Sequence, residues 1–254
     1  MRAGDTILAI DRLDDGIAVL RLTHGKVNAL DIDLLEAIIV AFGEVADAPA
    51  VVLTGVGSSF SAGVDLRRIL TSSAPEIEYF LDALSRALLT VFTHPRPVVA
   101  AVNGHAIAGG CVLAVATDVR LMSGGSMGLT ELDVGVAFPT AALEIARHAA
   151  GSRVQSLILS GRLIGPAEAV EVGFIDWVVD SDDLLDSALT EARSLGRIPA
   201  ESYEITKRQL HAPAMAAIAR EYEIYDAKVN HTWTSGSGRD AISSFVASLN
   251  QPRT

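Results

Sequence analysis

The chain has 254 residues, 20 Lys+Arg against 31 Asp+Glu for a net charge of -11, and a single cysteine. A net negative chain with only three lysines (Lys26, Lys207, Lys228) is a poor electrostatic match to a polyanion, which excludes general nucleic-acid binding. One cysteine, Cys111, excludes an intramolecular disulfide framework and fits a reducing compartment. Met1 to Thr6 carry no apolar signal-peptide core, so the expectation is a soluble cytoplasmic protein with no membrane partner.

In chain order, Thr6 to Ile10 and Ile17 to Leu22 flank Asp14-Asp15-Gly16 and read as a hairpin. Asp31 to Phe42 places Leu34, Leu35, Ile38 and Ile39 at helical spacing. Ala50 to Thr54 is a short apolar strand, and Ile77 to Phe92 a helix with Phe80, Leu81, Leu84, Leu88 and Val91 on one stripe. Val98 to Thr117 is long and apolar enough to suggest a membrane span, but Asn103-Gly104 and Gly109-Gly110 interrupt it. Strand, turn and buried helix explain it better, with a further strand at Val119 to Met122. Four C-terminal helices are expected, over Asp182 to Leu195, Pro199 to Leu210, Pro213 to Val229 and Asp240 to Leu249. In the third, Met215, Ile218, Tyr222, Tyr225 and Val229 form an apolar stripe that must be buried on the core or on a neighbouring subunit. No repeat of fixed period is visible. The class is α/β: a core over residues 1–195 with a helical region over 196–254.

Two motifs suggest chemistry and fail on detail. Gly55-Val56-Gly57-Ser58-Ser59-Phe60 follows a strand, but the third glycine of a dinucleotide fingerprint is Phe60. Gly124-Gly125-Ser126-Met127-Gly128 matches a nucleophile elbow, yet Gly128, Gly135 and Pro139 oppose the long helix the elbow needs, and a turn between strands fits better. The six histidines show no metal-ligand spacing, and His105 reads as a pocket wall or hydrogen-bonded core residue. More informative are two glycine-bearing turns, Ser61-Ala62-Gly63-Val64-Asp65-Leu66 and Asn103 to Cys111. Each follows a strand and leads into a helical pattern. Unpaired N–H groups at such helix starts could together hold an oxyanion; two ordinary strand–helix connections are the competing reading.

Ser61 to Leu66, then Ala101-Val102-Asn103-Gly104 with Ala108-Gly109-Gly110-Cys111, then Thr117-Asp118, resemble the enoyl-CoA hydratase/isomerase (crotonase) superfamily. Lys26-Val27-Asn28-Ala29-Leu30 resembles its early CoA-binding segment, and Gly161-Arg162, Pro166-Ala167-Glu168-Ala169 and Gly173 to Asp176 its later helix and strand. The resemblance implies a crotonase-like spiral of ββα units, assembled as a homotrimer or dimer of trimers through the helical C-terminal extension. It implies an oxyanion hole from the N–H groups of Val64 and Gly109, facing the carbonyl of an acyl-CoA thioester. Lys26, Ala29, Ala62, Gly63, Asp65 and Leu66 would line the CoA path. Arg67 and Arg68 are candidates for phosphate contacts, a solvated helix face being the alternative. No separate cofactor is implied, since CoA is part of the substrate.

Hydratases of that family use two glutamates. One position is Val112 here; the other matches Glu131. A single carboxylate still suffices to move a proton from one end of an allyl system to the other. The expectation is therefore an enoyl-CoA isomerase (Δ3 to Δ2). An enoyl-CoA hydratase using Glu131 with another group such as Asp133, or a non-catalytic acyl-CoA-binding protein, are the alternatives.

Overall fold

Asp14-Asp15-Gly16 turns the chain between β1 (Leu8–Arg12) and β2 (Ala18–Leu22), with the Asp15 carboxylate accepting from the Ile17 N–H. This is a computed structural model, and it describes residues 6–249; the reading of Met1 to Asp5 lies outside them. After the hairpin every strand pairing is parallel. β2, β3 (Val51–Gly55), β5 (Val98–Val102), β7 (Val119–Met122) and β9 (Trp177–Val178) follow one another across a six-stranded sheet begun by β1. A second, three-stranded sheet holds β4 (Ser59–Ser61), β6 (His105–Ile107) and β8 (Met127–Gly128).

Both faces of the large sheet are covered, as parallel strands require. Leu20, Leu53, Ala100 and Val102 face the main core, while Val19, Val52, Val99 and Ala101 face α9 (Leu184–Gly196), a period-two split of the same strands. The main core is closed by α1 (Ile32–Glu44) and α3 (Ala74–Phe92), whose helical stripes are buried as expected. Asp31 caps α1 through its carboxylate, and Ser73 with Glu76 forms a capping box on α3.

The two sheets make a spiral. A large-sheet strand, a small-sheet strand and a helix recur three times: β3, β4 and α2 (Leu66–Thr71); β5, β6 and α4 (Gly109–Val115); β7, β8 and α5 (Glu131–Val134). The apolar window from Val98 to Thr117 is the second of these units, and among the described residues no helix is long and apolar enough to cross a membrane. The units begin at Val51, Val98 and Val119, so their unequal spacing hides the repeat from a search at fixed period.

Two expectations need correction. Pro213 does not separate two helices: α10 runs from Ala200 to Thr234 through it. Proline removes one donor, but Gln209, whose carbonyl loses it, is exposed to water, while Lys207, Ala214 and Ile218 are buried on either side and hold the helix to the core. Only part of the stripe expected there lies on the core of this chain: Ile218 and Val229 are buried, while Tyr222 and Tyr225 are half-exposed, the face a neighbouring subunit would have to cover, and Asp226 turns inward to Thr140. The second correction concerns His105, which is exposed on β6, where its ring pairs with the Ser126 hydroxyl at 2.9 Å. Of the remaining helices, α6 (Thr140–Ala150) packs against α10, α7 (Val154–Ser160) and α8 (Pro166–Val172) lead to β9, and α11 (Gly236–Leu249) ends the described chain.

Candidate active site

Each turn of the spiral ends a small-sheet strand just before a helix, and the three turns lie side by side because β4, β6 and β8 do. Val64 follows β4, Gly109 follows β6 and Glu131 follows β8.

Asn28 ties the first turn together. It is buried with φ at 50°, and its amide donates to the carbonyls of Ser59 and Phe60 while its own carbonyl accepts from the Ser61 hydroxyl. Segment 27–30 thereby runs beside 62–65: the Ala62 N–H donates to Val27, the Leu30 N–H to Gly63 at 2.7 Å, and the Asp65 N–H to Leu30 at 2.9 Å. That ladder skips Val64, whose N–H has no acceptor among the described residues.

The second turn meets the first across Gly63. A Cβ there would lie 2.5 Å from the Ile107 carbonyl oxygen, and Gly63 has φ at +80°, so both space and conformation demand glycine. Opposite it, Ala108 is held at φ 51° and ψ −124°, a conformation that costs a non-glycine residue about 1–3 kcal/mol. Its N–H is fixed on Gly128 at 2.7 Å. This bend starts α4 at Gly109, whose N–H belongs to the unpaired first turn. The Cβ position of Gly109 is 3.0 Å from Leu30 Cδ1 and 3.8 Å from Val64 Cγ2, which puts the two free N–H groups on neighbouring residues. Two such donors can serve one acceptor oxygen.

The third turn brings a carboxylic acid. Glu131 is buried, and its Oε2 has no hydrogen-bond partner among the described residues. Loss of water pushes its pKa up to about 8, against a smaller opposing effect from its own backbone N–H. The Cys111 thiol is near enough for the Glu131 charge to add to burial in raising it, so Glu131 faces the first turn of α4. Val112, the next residue, is fully buried. Asp133, two residues after Glu131, is exposed and lies against Gly161, on the other side of α5. Cys111 was legible only as a small buried hydrophobe, and Asn28 only as part of the Lys26 to Leu30 segment singled out by resemblance; its role in tying the turn is a tertiary fact.

Next to Leu30 a pocket of about 400 Å³ opens between α2 and α3, lined by Leu30, Asp65, Arg68, Ile69, Tyr79 and Phe80 among others. Of the expected CoA-path residues only Asp65 lines this pocket. Lys26 is exposed on its loop, Ala29, Ala62 and Leu66 are half-buried, and Gly63 is buried. The Asp65 carboxylate is occupied as the N-cap of α2, accepting from the N–H groups of Arg67 and Arg68 at 3.1 Å each. The Arg67 side chain is exposed, whereas one Arg68 Nη bridges Asp31 and Asp33, both at 2.7 Å, which leaves that guanidinium engaged by carboxylates. Among the described residues no three His, Cys, Asp or Glu side chains are grouped to hold a metal ion.

The family model described as enoyl-CoA hydratase/isomerase matches residues 12–251. Among curated relatives, a Mycobacterium tuberculosis protein described as “Probable enoyl-CoA hydratase EchA17” is 33% identical over 222 residues, 85% of this chain and 81% of its own. Among solved structures, an M. tuberculosis protein, described once as an enoyl-CoA isomerase and once as a probable enoyl-CoA hydratase, is 28% identical in the former structure with a TM-score of 0.79, covering 94% of this chain and 98% of that one. Human mitochondrial delta3-delta2-enoyl-CoA isomerase superposes with a TM-score of 0.90 over 96% of this chain and 98% of that one, and at 22% identity it speaks for the fold alone. With the spiral, the paired turns and a match over nearly the whole chain agreeing, the protein belongs to the enoyl-CoA hydratase/isomerase (crotonase) family of enzymes.

Proposed function

We propose that the chain is an enoyl-CoA isomerase that moves a double bond from Δ3 to Δ2 of an acyl-CoA thioester, with Glu131 as the only acid–base group. The thioester oxygen accepts from the N–H groups of Val64 and Gly109. The Glu131 carboxylate takes a proton from C2; the electron pair moves onto the carbonyl oxygen, and the dienolate is held by the two donors. The same proton, now on Glu131, is delivered to C4, and the pair returns to make the C2–C3 double bond. Atoms and charge balance with no water consumed and no redox group required, so CoA enters only as part of the substrate. Lys26, Ala29, Ala62, Gly63, Leu66 and Arg67 are assigned to the CoA path, and Asp65 acts there through the helix it caps.

The observation that carries this reading is the buried carboxyl of Glu131 with an unpartnered oxygen, while position 112 holds a fully buried valine in place of a second acid. Hydration by two carboxylates would need a partner, and Asp133 faces away. The mycobacterial structure described as an isomerase adds support at 28% identity; that protein's other description and the names of the curated relatives favour hydratase and keep that the second reading. A panel of 2-enoyl- and 3-enoyl-CoA thioesters with product analysis tests it. Turnover of a 3-enoyl-CoA to its 2-enoyl isomer is expected; efficient hydration of the 2-enoyl substrate with no isomerisation overturns it.

A further inference from the structure

Glu131 stands on a helix of a single turn, and a single turn does not sustain itself in water. What fixes the carboxyl must come from outside α5. The Val136 N–H closes the turn onto the Glu131 carbonyl at 3.0 Å. The next residue, Ala137, is gripped at both ends from α10: its N–H donates to Thr232 Oγ1 at 3.0 Å, and its carbonyl accepts from the Trp233 indole N–H at 2.9 Å. Three residues on, Asp226 accepts from both the N–H and the hydroxyl of Thr140. Between them Gly135 is pressed against α11, where a Cβ would lie 2.7 Å from that of Ala241.

The other short helix is α2, six residues that follow Val64. Its exit is held by Arg239 of α11, which donates to the carbonyls of Leu70 at 2.6 Å and Ser72 at 2.9 Å. Trp233 and Arg239 flank one bend at Ser235, between α10 and α11. One corner, with Trp233 at 2% exposure, therefore grips two of the three turns that carry the candidate site, those of Glu131 and Val64.

We propose that Trp233 and Arg239 are positioning residues, the corner between α10 and α11 setting the distance from the Glu131 carboxyl to the Val64 N–H. This rests on the site assignment made above. Neither side chain touches the substrate; each acts through a backbone carbonyl, and displacements of an ångström at reacting groups cost about 10²-fold in rate.

The test uses the full chain with Trp233→Phe, which keeps an aromatic ring but loses the N–H together with the volume of the second ring, Thr232→Val, which removes the other bond to Ala137 at nearly constant volume, and Arg239→Lys, whose ammonium cannot bridge two carbonyls as the guanidinium fork does. Two readouts are taken: kcat and KM on the enoyl-CoA that the wild type turns over, and the titration of the Glu131 carboxyl by 13C NMR in the ligand-free protein, identified by its loss in Glu131→Gln. The expected result is a kcat lowered ~10-fold or more with KM within about twofold, and a Glu131 titration displaced toward the ordinary carboxyl range as water reaches a loosened α5. Arg239→Gln should lose more than Arg239→Lys. Folded variants with unchanged kcat and unchanged titration overturn the proposal, as does a rate that falls only in proportion to the folded fraction. Should Trp233→Phe not fold, Thr232→Val carries the same expectation. If the wild type turns over no enoyl-CoA, the functional reading fails by itself, and the titration alone decides the positioning role.

Discussion

Replacing Glu131 with glutamine should abolish isomerisation and, at the same time, make the protein more stable above neutral pH. The carboxyl is buried with one oxygen unpartnered, and its pKa is pushed from 4.5 to about 8. A folded-state pKa above the unfolded one means that the unfolded chain releases this proton first. The associated stability is present in full below pH 4.5 and is lost as pH rises toward 8. Each tenfold in proton affinity is ~1.4 kcal/mol, so the ceiling on the loss is ~5 kcal/mol.

Glutamine has the size of glutamic acid but no titration. Its amide carries its own cost of burial, ~1–3 kcal/mol if left unpaired, but that cost does not depend on pH. The informative quantity is therefore the stability difference between Glu131→Gln and wild type, followed by urea unfolding from pH 5 to 9. It should grow with pH by several kcal/mol and level off above about 8. Every other titrating group cancels in that difference. A flat difference would refute the claim that Glu131 is held in a dry site. A growing difference with full turnover in the variant would leave the burial standing and remove Glu131 from the chemistry.

Four further outcomes are expected. Val112→Glu places a second carboxylate beside the site and should bring measurable hydration of a short 2-enoyl-CoA, with a loss of stability from the added buried acid; hydration that is already efficient in wild type would show both positions misread. Gly109→Pro, which deletes one donor, should lower turnover ~10²-fold, while Gly109→Ala, whose methyl meets only the movable Leu30 Cδ1 at 3.0 Å, should retain most of it; equal turnover in the two folded variants would discard Gly109 as a donor. His94 and His211 are pushed from 6.5 down to about 4, by burial first and then by the Lys207 charge, so stability should be complete above pH 6.5 and fall as pH drops to 4, and His211→Phe should flatten that loss in thermal melts taken across pH. Sedimentation should find a trimer or a pair of trimers, with the half-exposed Tyr222, Ile224 and Tyr225 on α10 among the surfaces that become covered; monomer alone at micromolar concentration would refute it.

Long, strongly periodic segments were legible in the sequence. The strands at Val51, Val98 and Val119 and the helices α1 and α3 lie where apolar spacing puts them, because burial on one or both faces is written directly into their residues. The small sheet was not legible, since strands of two or three residues carry no period. Its consequence, three turns brought side by side, is a tertiary fact. Pro213 misled because local signals on α10 are overridden by what the helix rests on, with Lys207, Ala214 and Ile218 buried on either side of it. Glu131 could be picked out only by resemblance, because Thr130-Glu131-Leu132-Asp133 reads as a polar surface turn, and nothing in those four residues announces a buried acid. The corner that holds it is about as remote, with Trp233 bonded to a residue 96 positions earlier.

Charge conservation explains why a single carboxylate suits this pocket. In the proposed isomerisation the negative charge would sit on Glu131 before proton transfer and afterwards on an enolate oxygen between the Val64 and Gly109 N–H groups, with Glu131 neutral. One buried negative charge moves a short distance and none is created, so the pocket stabilises the same total charge throughout. Burial makes the Glu131 carboxylate a stronger base than a solvated one, which favours taking a weakly acidic C2 proton, and the unpaired donors become most valuable as the oxygen gains charge. A glutamate at position 112 would put a second acid beside the first; ionising either would then oppose ionising the other and push their titrations apart. In the proposed reaction the buried valine leaves Glu131 without such a coupled second acid. The cost falls on the backbone, at Gly63 and at the strained Ala108, where conformations poor for folding hold the two donors free. On this account the glutamate sets whether a proton moves, and the residue at 112 sets whether water can follow it.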